Sequence, residues 1–349
     1  MSIPPRIWRV PKPGLIAERA RAWTRPPAMA GAQVARIVET LDLGSVEKVR
    51  NVANGWRNRV VVVWVGGERV VIRGYPSRWP RESIRCEHSI LEELERRDFP
   101  APRLLRSRGD TTLLEVEGRH YAVLSFESGR SFTGYYMHHR TIERIQEEAG
   151  ALLAEFHRAL GSFRPEGRHH LGEDPATSGP VRDLNWHASV LERIRTSDHA
   201  GDAELAGRMD QAEDRLRRLE PLVRQAPLPR SVVHGDYGLH NILFKRSGSA
   251  VLHDFELARY DIRVVDVVAA LSRIRSQFRP GFLTGLRSSG GIDETEWDLL
   301  PQVWEWYRLI GAIQSWEAFD RHGGDHRLEA VARRLREAER IRHGGVDVG

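Results

Sequence analysis

Residues 232–257, VVHGDYGLHNILFKRSGSAVLHDFEL, constrain this chain more than any other stretch. Two strand-like runs, 231–233 and 250–253, bracket a polar loop, so its short side chains are pinned between fixed ends. His234-Gly235-Asp236 opens the loop, Asn241 follows Asp236 by five residues, and Asp254 heads Asp254-Phe255-Glu256. An ordinary exposed hairpin would account for Gly235 and Gly238. It would not account for the Asp–Asn spacing, the apolar Ile242-Leu243-Phe244 and the second Asp together. The His-x-Asp-x-x-x-x-Asn spacing is that of a phosphoryl-transfer loop, in which a hydroxyl is aligned behind the transferring phosphate and charge on its oxygens is neutralised. Asp236 is the expected base for the acceptor hydroxyl. Asn241 and Asp254 offer the hard oxygens that hold Mg2+ against the phosphates of ATP. His234 is assigned a structural role in anchoring the loop, because Asp236 already supplies the base.

The remaining sequence sets the frame for that loop. With 349 residues the chain is long enough for two lobes, each burying its own core. Hydrophobic content of 40% and charged content of 29% are those of a globular protein. No run approaches the roughly 18 apolar residues of a membrane span. The basic N-terminus is broken by Pro4, Pro5, Pro11 and Pro13, unlike the continuous apolar core of a secretion signal. One cysteine, Cys86, excludes an internal disulfide and a multi-cysteine metal cluster, and the cytoplasm is the expected compartment. The net charge of +5 comes without a block of five like charges, so neither nucleic acid nor membrane is expected as a partner.

Along the chain, residues 1–30 read as a proline-spotted extension. Val34, Ile37, Val38 and Leu41 mark an amphipathic helix over 31–43. Strands are predicted over 46–52, 59–65 and 69–73, with Gly66-Gly67 as a hairpin turn. A helix over 81–97 and strands over 111–116 and 121–126 follow. Beyond Gly129 the pattern turns helical, with helices over 142–160, 191–222, 264–271, 304–316 and 328–341 and a Gly-, Pro- and His-rich loop over 161–185. The expected class is α+β: an extension (1–30), a β-rich N-lobe (31–127) and a mainly helical C-lobe with the catalytic loop and acceptor site (128–349).

On the motif His234-Gly235-Asp236-Tyr237-Gly238-Leu239-His240-Asn241-Ile242-Leu243, with Asp254 beyond it, the chain resembles the aminoglycoside phosphotransferase and choline kinase-like family. It is also similar to the spore-coat branch of that family. The resemblance runs from about residue 46 to about residue 316 and implies a bilobal, protein kinase-like fold with ATP- and Mg2+-dependent phosphorylation of a small-molecule hydroxyl. It implies that Arg73 stands where a lysine usually reaches the nucleotide phosphates, and that Glu87 is its carboxylate partner. Residues 53–58, including Asn58, take the place of a phosphate-covering loop. Leu124-Ser125-Phe126-Glu127 takes the place of the hinge that pairs with adenine through its backbone, which makes Ser125 and Phe126 nucleotide-binding positions. Asp266 matches a buried helix-start aspartate of structural role.

The acceptor is expected between the signature loop and the C-terminal helices, where Trp304 and Tyr307 stand out as aromatic faces beside Glu305. Core packing competes with that reading for Trp304 and outweighs it for Trp306. Asp293, Glu294, Glu296 and Asp298 read as the acidic first turn of a helix rather than as an amine-binding patch. His138-His139 and His169-His170 are given no role. Two other classes compete with a metabolite kinase. An aminoglycoside kinase would need an acidic cleft for a polycation, and a catalytically silent coat or binding protein would not need two metal ligands and a base. Sequence leaves the acceptor, the choice between ATP and GTP, the oligomeric state and the role of residues 1–30 open.

Overall fold

The computed structural model describes residues 29–52, 58–132, 138–174, 183–196 and 203–344. The expected N-terminal extension, up to residue 28, and most of the expected phosphate-covering loop, 53–57, lie outside them. In chain order the first elements are α1 (Gly31–Thr40), β1 (Val46–Asn51), β2 (Arg59–Val65), β3 (Glu68–Gly74), α2 (Arg81–Arg96), β4 (Leu114–Val116) and β5 (Arg119–Ser125). Next come α3 (His139–Ala159), α4 (Leu184–Arg195), α5 (Ala203–Gln225), β6 (Arg230–Val233), β7 (Ile242–Phe244), β8 (Ala250–Leu252) and β9 (Arg259–Ile262). The helices α6 (Val265–Leu271), α7 (Arg279–Ser288), α8 (Glu294–His322) and α9 (Asp325–Arg342) complete the chain. The class is α+β: an antiparallel sheet in the N-terminal region and helices in the C-terminal region. These elements group into two compact units, and neither is continuous in sequence.

The first unit comprises Met1–Tyr136, Pro165–His170 and Leu239–Ala258. Its sheet runs β1-β2-β3-β5-β4, antiparallel throughout. Valine-rich β2 is buried on both faces at Val61, Val62 and Val63, and its odd-numbered valines share one face. Val61, Val63 and Val65 join Val70 and Ile72 of β3 and Tyr121 and Val123 of β5 in one core against Val34, Ile37 and Val38 of α1. Gly66 and Gly67, at φ 56° and 79°, make the left-handed turn whose twist matches that of the strands it joins. The opposite parity of β3 carries Arg73, whose guanidinium meets Glu87 on α2. Residues 111–113, expected in a strand, are drawn instead into a turn. Ser107 N donates to Thr111 O (3.0 Å), Thr111 Oγ1 donates to Leu113 O (3.1 Å), and only residues 114–116 pair with β5.

The β7–β8 hairpin also belongs to this unit. Arg130 and Phe244 exchange backbone hydrogen bonds (3.0 Å each way), and Leu252 N donates to Pro100 O (3.0 Å). Lys245 pairs with Glu127 at 2.9 Å.

The second unit comprises Met137–Arg164, Leu171–Gly238 and Arg259–Gly349. A β6–β9 antiparallel pair carries the chain into and out of the loop region. Helices α3 and α7 cross at backbone contact. A Cβ on Gly150 would lie 2.0 Å from Phe282 O, and one on Gly285 would lie 1.9 Å from Glu147 O, so only glycine allows the approach. The charged helical stretch expected over 191–222 falls on α4 and α5, with residues 197–202 outside the described residues. Helix α8 begins at 294, ten residues ahead of the stretch expected from sequence, and runs through Pro301. Its start is set by a capping box: Asp293 accepts from Glu296 N (3.0 Å) and Glu296 accepts from Asp293 N (2.9 Å). Glu296 is fully buried and pairs with Arg263, so the acidic run is a helix start.

Candidate active site

In the first unit, β3 delivers Arg73 into a two-carboxylate clamp. Nη1 donates to Glu87 Oε1 at 2.5 Å and Nη2 to Asp254 Oδ1 at 3.0 Å. Burial alone would weaken the charge on Arg73. The carboxylates of Glu87 and then Asp254 overcome that and hold its pKa above the ordinary value. Glu87 is 1% exposed, and burial raises its pKa against the pull of Arg73. The planar fork of arginine suits this task, because two separate nitrogens serve two separate acids.

Asp254 adopts left-handed backbone angles, φ 68° and ψ 65°. A non-glycine residue there costs about 1 kcal/mol or more, and its surroundings must hold it. Glu256 contributes to that hold. Its Oε2 accepts from Asn58 Nδ2 at 2.5 Å, and its backbone oxygen lies 3.2 Å from His169 Nε2. Asn58 Oδ1 is buried without a donor. Asn241 closes a short 3-10 turn, and its backbone oxygen accepts from His253 N at 2.9 Å, so it stands across the hairpin from the residue before Asp254.

An amide oxygen and a carboxylate at the base of one hairpin fit a magnesium ion, which takes one or two protein oxygens and completes its shell with phosphate and water. Among the described residues, no group of three or more His, Cys, Asp and Glu is arranged to hold a metal. In the segment 124–127, Ser125 Oγ accepts from Arg103 N (2.9 Å) and donates to Glu127 Oε1 (3.2 Å). Phe126 carries the Arg69 guanidinium 4.0 Å above its ring.

In the second unit, β6 leads directly into His234-Gly235-Asp236. Asp266, at the start of α6 and fully buried, accepts from His234 N at 2.7 Å and from Gly235 N at 2.8 Å. Gly235, at φ 77°, turns its amide toward the carboxylate already bonded by its neighbour. His157 Nε2 donates to Asp266 at 3.1 Å, which fixes that tautomer. Burial would raise the pKa of Asp266, but the His157 hydrogen bond and charge and the loop around His234 hold it below the usual carboxylate value. His234 is itself fully buried, and its Nδ1 accepts from Asp236 N at 3.3 Å. The adjacent Tyr237 is anchored by its hydroxyl to Ala149 O at 2.6 Å.

Asp236 is thus carried on a loop fixed from below, with its own side chain partly exposed and ion-paired to Arg273. Arg273 Nη1 donates to Ala269 O at 2.8 Å, the close of a helix that sequence identified. Of the two aromatic candidates, Trp304 is 2% exposed, with Nε1 donating to Ser272 Oγ at 2.8 Å and Arg279 over its ring at 4.8 Å. Tyr307 is partly exposed and lies near Arg273, whose charge it favours.

Arg273, Glu256 and His157 were not singled out from sequence. Glu256 had a signal, its place in Asp254-Phe255-Glu256, whereas Arg273 and His157 find their partners 37 and 109 residues away.

Residues 48–310 match the phosphotransferase enzyme family. The chain is 27% identical over 242 residues to a homoserine kinase of Phenylobacterium zucineum, covering 69% of this chain and 68% of that one. A homoserine kinase of Brucella anthropi is 26% identical over 240 residues, covering 69% and 67%. Among solved structures, a microcompartment-associated aminopropanol kinase superimposes with a TM-score of 0.68 at 16% identity, covering 90% of this chain and 99% of that one. An amicoumacin kinase in complex with AMP-PNP, Ca2+ and Ami gives 0.65 at 16% identity, covering 89% and 93%. These likenesses establish a protein kinase-like fold.

Proposed function

We propose a specific reaction for a chain that belongs to the phosphotransferase enzyme family: transfer of the terminal phosphate of ATP, with Mg2+, to a hydroxyl of a small polar metabolite. As a member of that family it is a kinase with an alcohol group as acceptor. The observation that supports the residue assignment is the clamp of Arg73 between Glu87 and Asp254, a cation beside the carboxylate assigned here to metal.

Asp236 orients the acceptor hydroxyl and takes its proton as the new oxygen–phosphorus bond forms. The bond from that phosphorus to the bridging oxygen breaks, and the nucleoside diphosphate leaves with the electron pair. Arg73 binds the nucleotide phosphates, and Glu87 keeps its guanidinium in place. Asn241 and Asp254 would hold magnesium, which neutralises phosphate charge when bound. His234 and Asp266 keep the loop rigid, so Asp236 is presented in one geometry. The hinge backbone at Ser125 and Phe126 is assigned to the nucleotide base, and Asn58 to the phosphate side through its hold on Glu256.

A metabolite of the size of homoserine, the substrate named for the relatives, is the first acceptor to try. The test is ADP release over a panel of hydroxylated metabolites, with and without Mg2+, and with Asp236→Ala as control. Magnesium-dependent turnover lost in the variant supports the proposal. Equal inertness of both proteins, with no thermal stabilisation by ATP and Mg2+, overturns it.

A further inference from the structure

Around Asp236 the second unit collects positive charge. Arg273 touches Asp236, keeps a side chain 38% exposed to solvent, and has Tyr307 of α8 close enough to favour its charge. The next residue on that helix, Arg308, is 7% exposed. One of its terminal nitrogens meets Glu337, while its Nε is buried with no hydrogen-bond partner. On α9, Arg334 donates to Gly311 O (2.6 Å) and to Ser315 Oγ, both uncharged. Among the described residues no carboxylate lies within ion-pair distance of Arg334. The missing side chain at Gly311 makes room for it, since a Cβ there would lie 3.2 Å from Arg334 Nε.

Three guanidiniums therefore share two carboxylates, Asp236 and Glu337. Like charges a few ångströms apart inside a protein repel by on the order of a few kcal/mol, and burial adds to the cost. Burial and the charge of Arg334 push the pKa of Arg308 down to about 10. Arg334 is lowered by burial and then by Arg333 and Arg273. An anion bound among these groups relieves both costs, and an arginine fork binds a carboxylate or phosphate through two parallel hydrogen bonds.

We infer that the acceptor carries an oxyanion, a carboxylate or a phosphate ester, received by Arg273 and Tyr307 with Arg308 and Arg334 behind them. The inference rests on the kinase reading above and narrows its substrate class. Because Arg273 contacts Asp236, the oxyanion is only a few bonds from the hydroxyl that Asp236 engages. The acceptor is a small hydroxy acid or a phosphorylated polyol, not a polycation.

The test uses the full chain and matched pairs: hydroxy acids of three to six carbons, with or without an amino group, against their amides, and glycerol phosphate against glycerol. Wild type should favour one anionic series over its neutral partners by about 100-fold in kcat/KM, and which series does so separates carboxylate from phosphate. Arg334→Gln should raise KM for the anionic acceptor about tenfold or more and leave KM for its neutral partner within about twofold, while Arg273→Gln, which also releases Asp236, should lower the preference for the anionic over the neutral acceptor about tenfold or more in kcat/KM. Arg273→Lys should recover part of the loss. The same compounds, added without nucleotide, should raise the melting temperature of wild type but not of Arg273→Gln. Neutral partners used as well as anionic ones would overturn the inference and leave the kinase standing. An absence of stabilisation by every anionic compound would overturn it too. Failure of the kinase reading shows separately, as no ADP release with any acceptor and no response to ATP and Mg2+.

Discussion

The two units carry opposite charge arrangements at their functional residues. In the first, one guanidinium, Arg73, stands between two carboxylates, Glu87 and Asp254. In the second, one accessible carboxylate, Asp236, stands beside Arg273, with Arg308 and Arg334 behind. A site with surplus carboxylate is completed by a cation, and one with surplus guanidinium by an anion. The contrast teaches that one signature loop serves two electrostatic tasks. Asn241 and Asp254, proposed for metal and phosphate, belong to the first unit, and Asp236, the proposed base five residues before Asn241, belongs to the second.

The largest expected effect breaks the acceptor side alone. Asp236→Ala should lower kcat by about 10²–10⁴-fold, the range for loss of a positioned base. Nucleotide affinity, measured by fluorescence titration or calorimetry, should stay at the wild-type value. Joint loss of both would show that the two sides are not separable.

Next is the support beneath that base. Asp266→Ala removes a buried carboxylate from two backbone amides and His157, and should cost about 3–5 kcal/mol in chemical denaturation. The folded-state pKa of Asp266 is depressed. Its contribution is therefore fully present above the unfolded value of about 3.9 and is lost as pH falls through the folded value.

A smaller effect addresses the nucleotide side. Arg73→Lys keeps the charge but cannot serve Glu87 and Asp254 through two separate nitrogens, so KM for ATP should rise about three- to tenfold with kcat less affected. An unchanged KM would place the phosphate contact elsewhere.

A last contrast distinguishes the units by acid response. His88, between the Tyr75 hydroxyl (3.0 Å) and Thr112 Oγ1 (2.8 Å), has its pKa lowered to about 3 by burial and then by Arg73. The unfolded chain takes up this proton below about pH 6.5 while the folded chain does not. Stability should therefore decline between pH 6.5 and 3 by up to about 1.4 kcal/mol per pH unit. His88→Gln should flatten the thermal-melt profile between pH 6.5 and 4.5, a window in which Asp266 remains ionised. An unchanged slope would mean that His88 is protonated in the folded protein.

Much of the first unit was legible because its strands are short β-branched apolar runs and its turns use glycine. The run of Val60–Val63 and the Gly66-Gly67 pair leave few alternatives. The loop was legible because its chemistry needs a fixed local spacing. What stayed hidden was long-range pairing. Arg273 looks like any basic residue after a helix until the fold brings it to Asp236, and His157 is one helical residue among many until Asp266 meets it. The extent of α8 was hidden for another reason. Pro301 lies in the interior of α8, where proline removes a helix hydrogen bond at a cost of about 3 kcal/mol, so a helix that runs through it is set by its capping box and its packing rather than by local preference. Trp304 shows the limit of composition, since an aromatic beside a carboxylate in sequence turned its indole N–H to Ser272.

The glycine crossing of α3 and α7 bears on how such an enzyme changes its preferences. Ala149, which holds the Tyr237 hydroxyl, is the residue before Gly150, so the floor under the loop is welded to a contact that admits no side chain. Variation there is closed to selection. On the acceptor reading proposed above, new preferences would fall to α8 and α9, which carry Tyr307, Arg308 and Arg334.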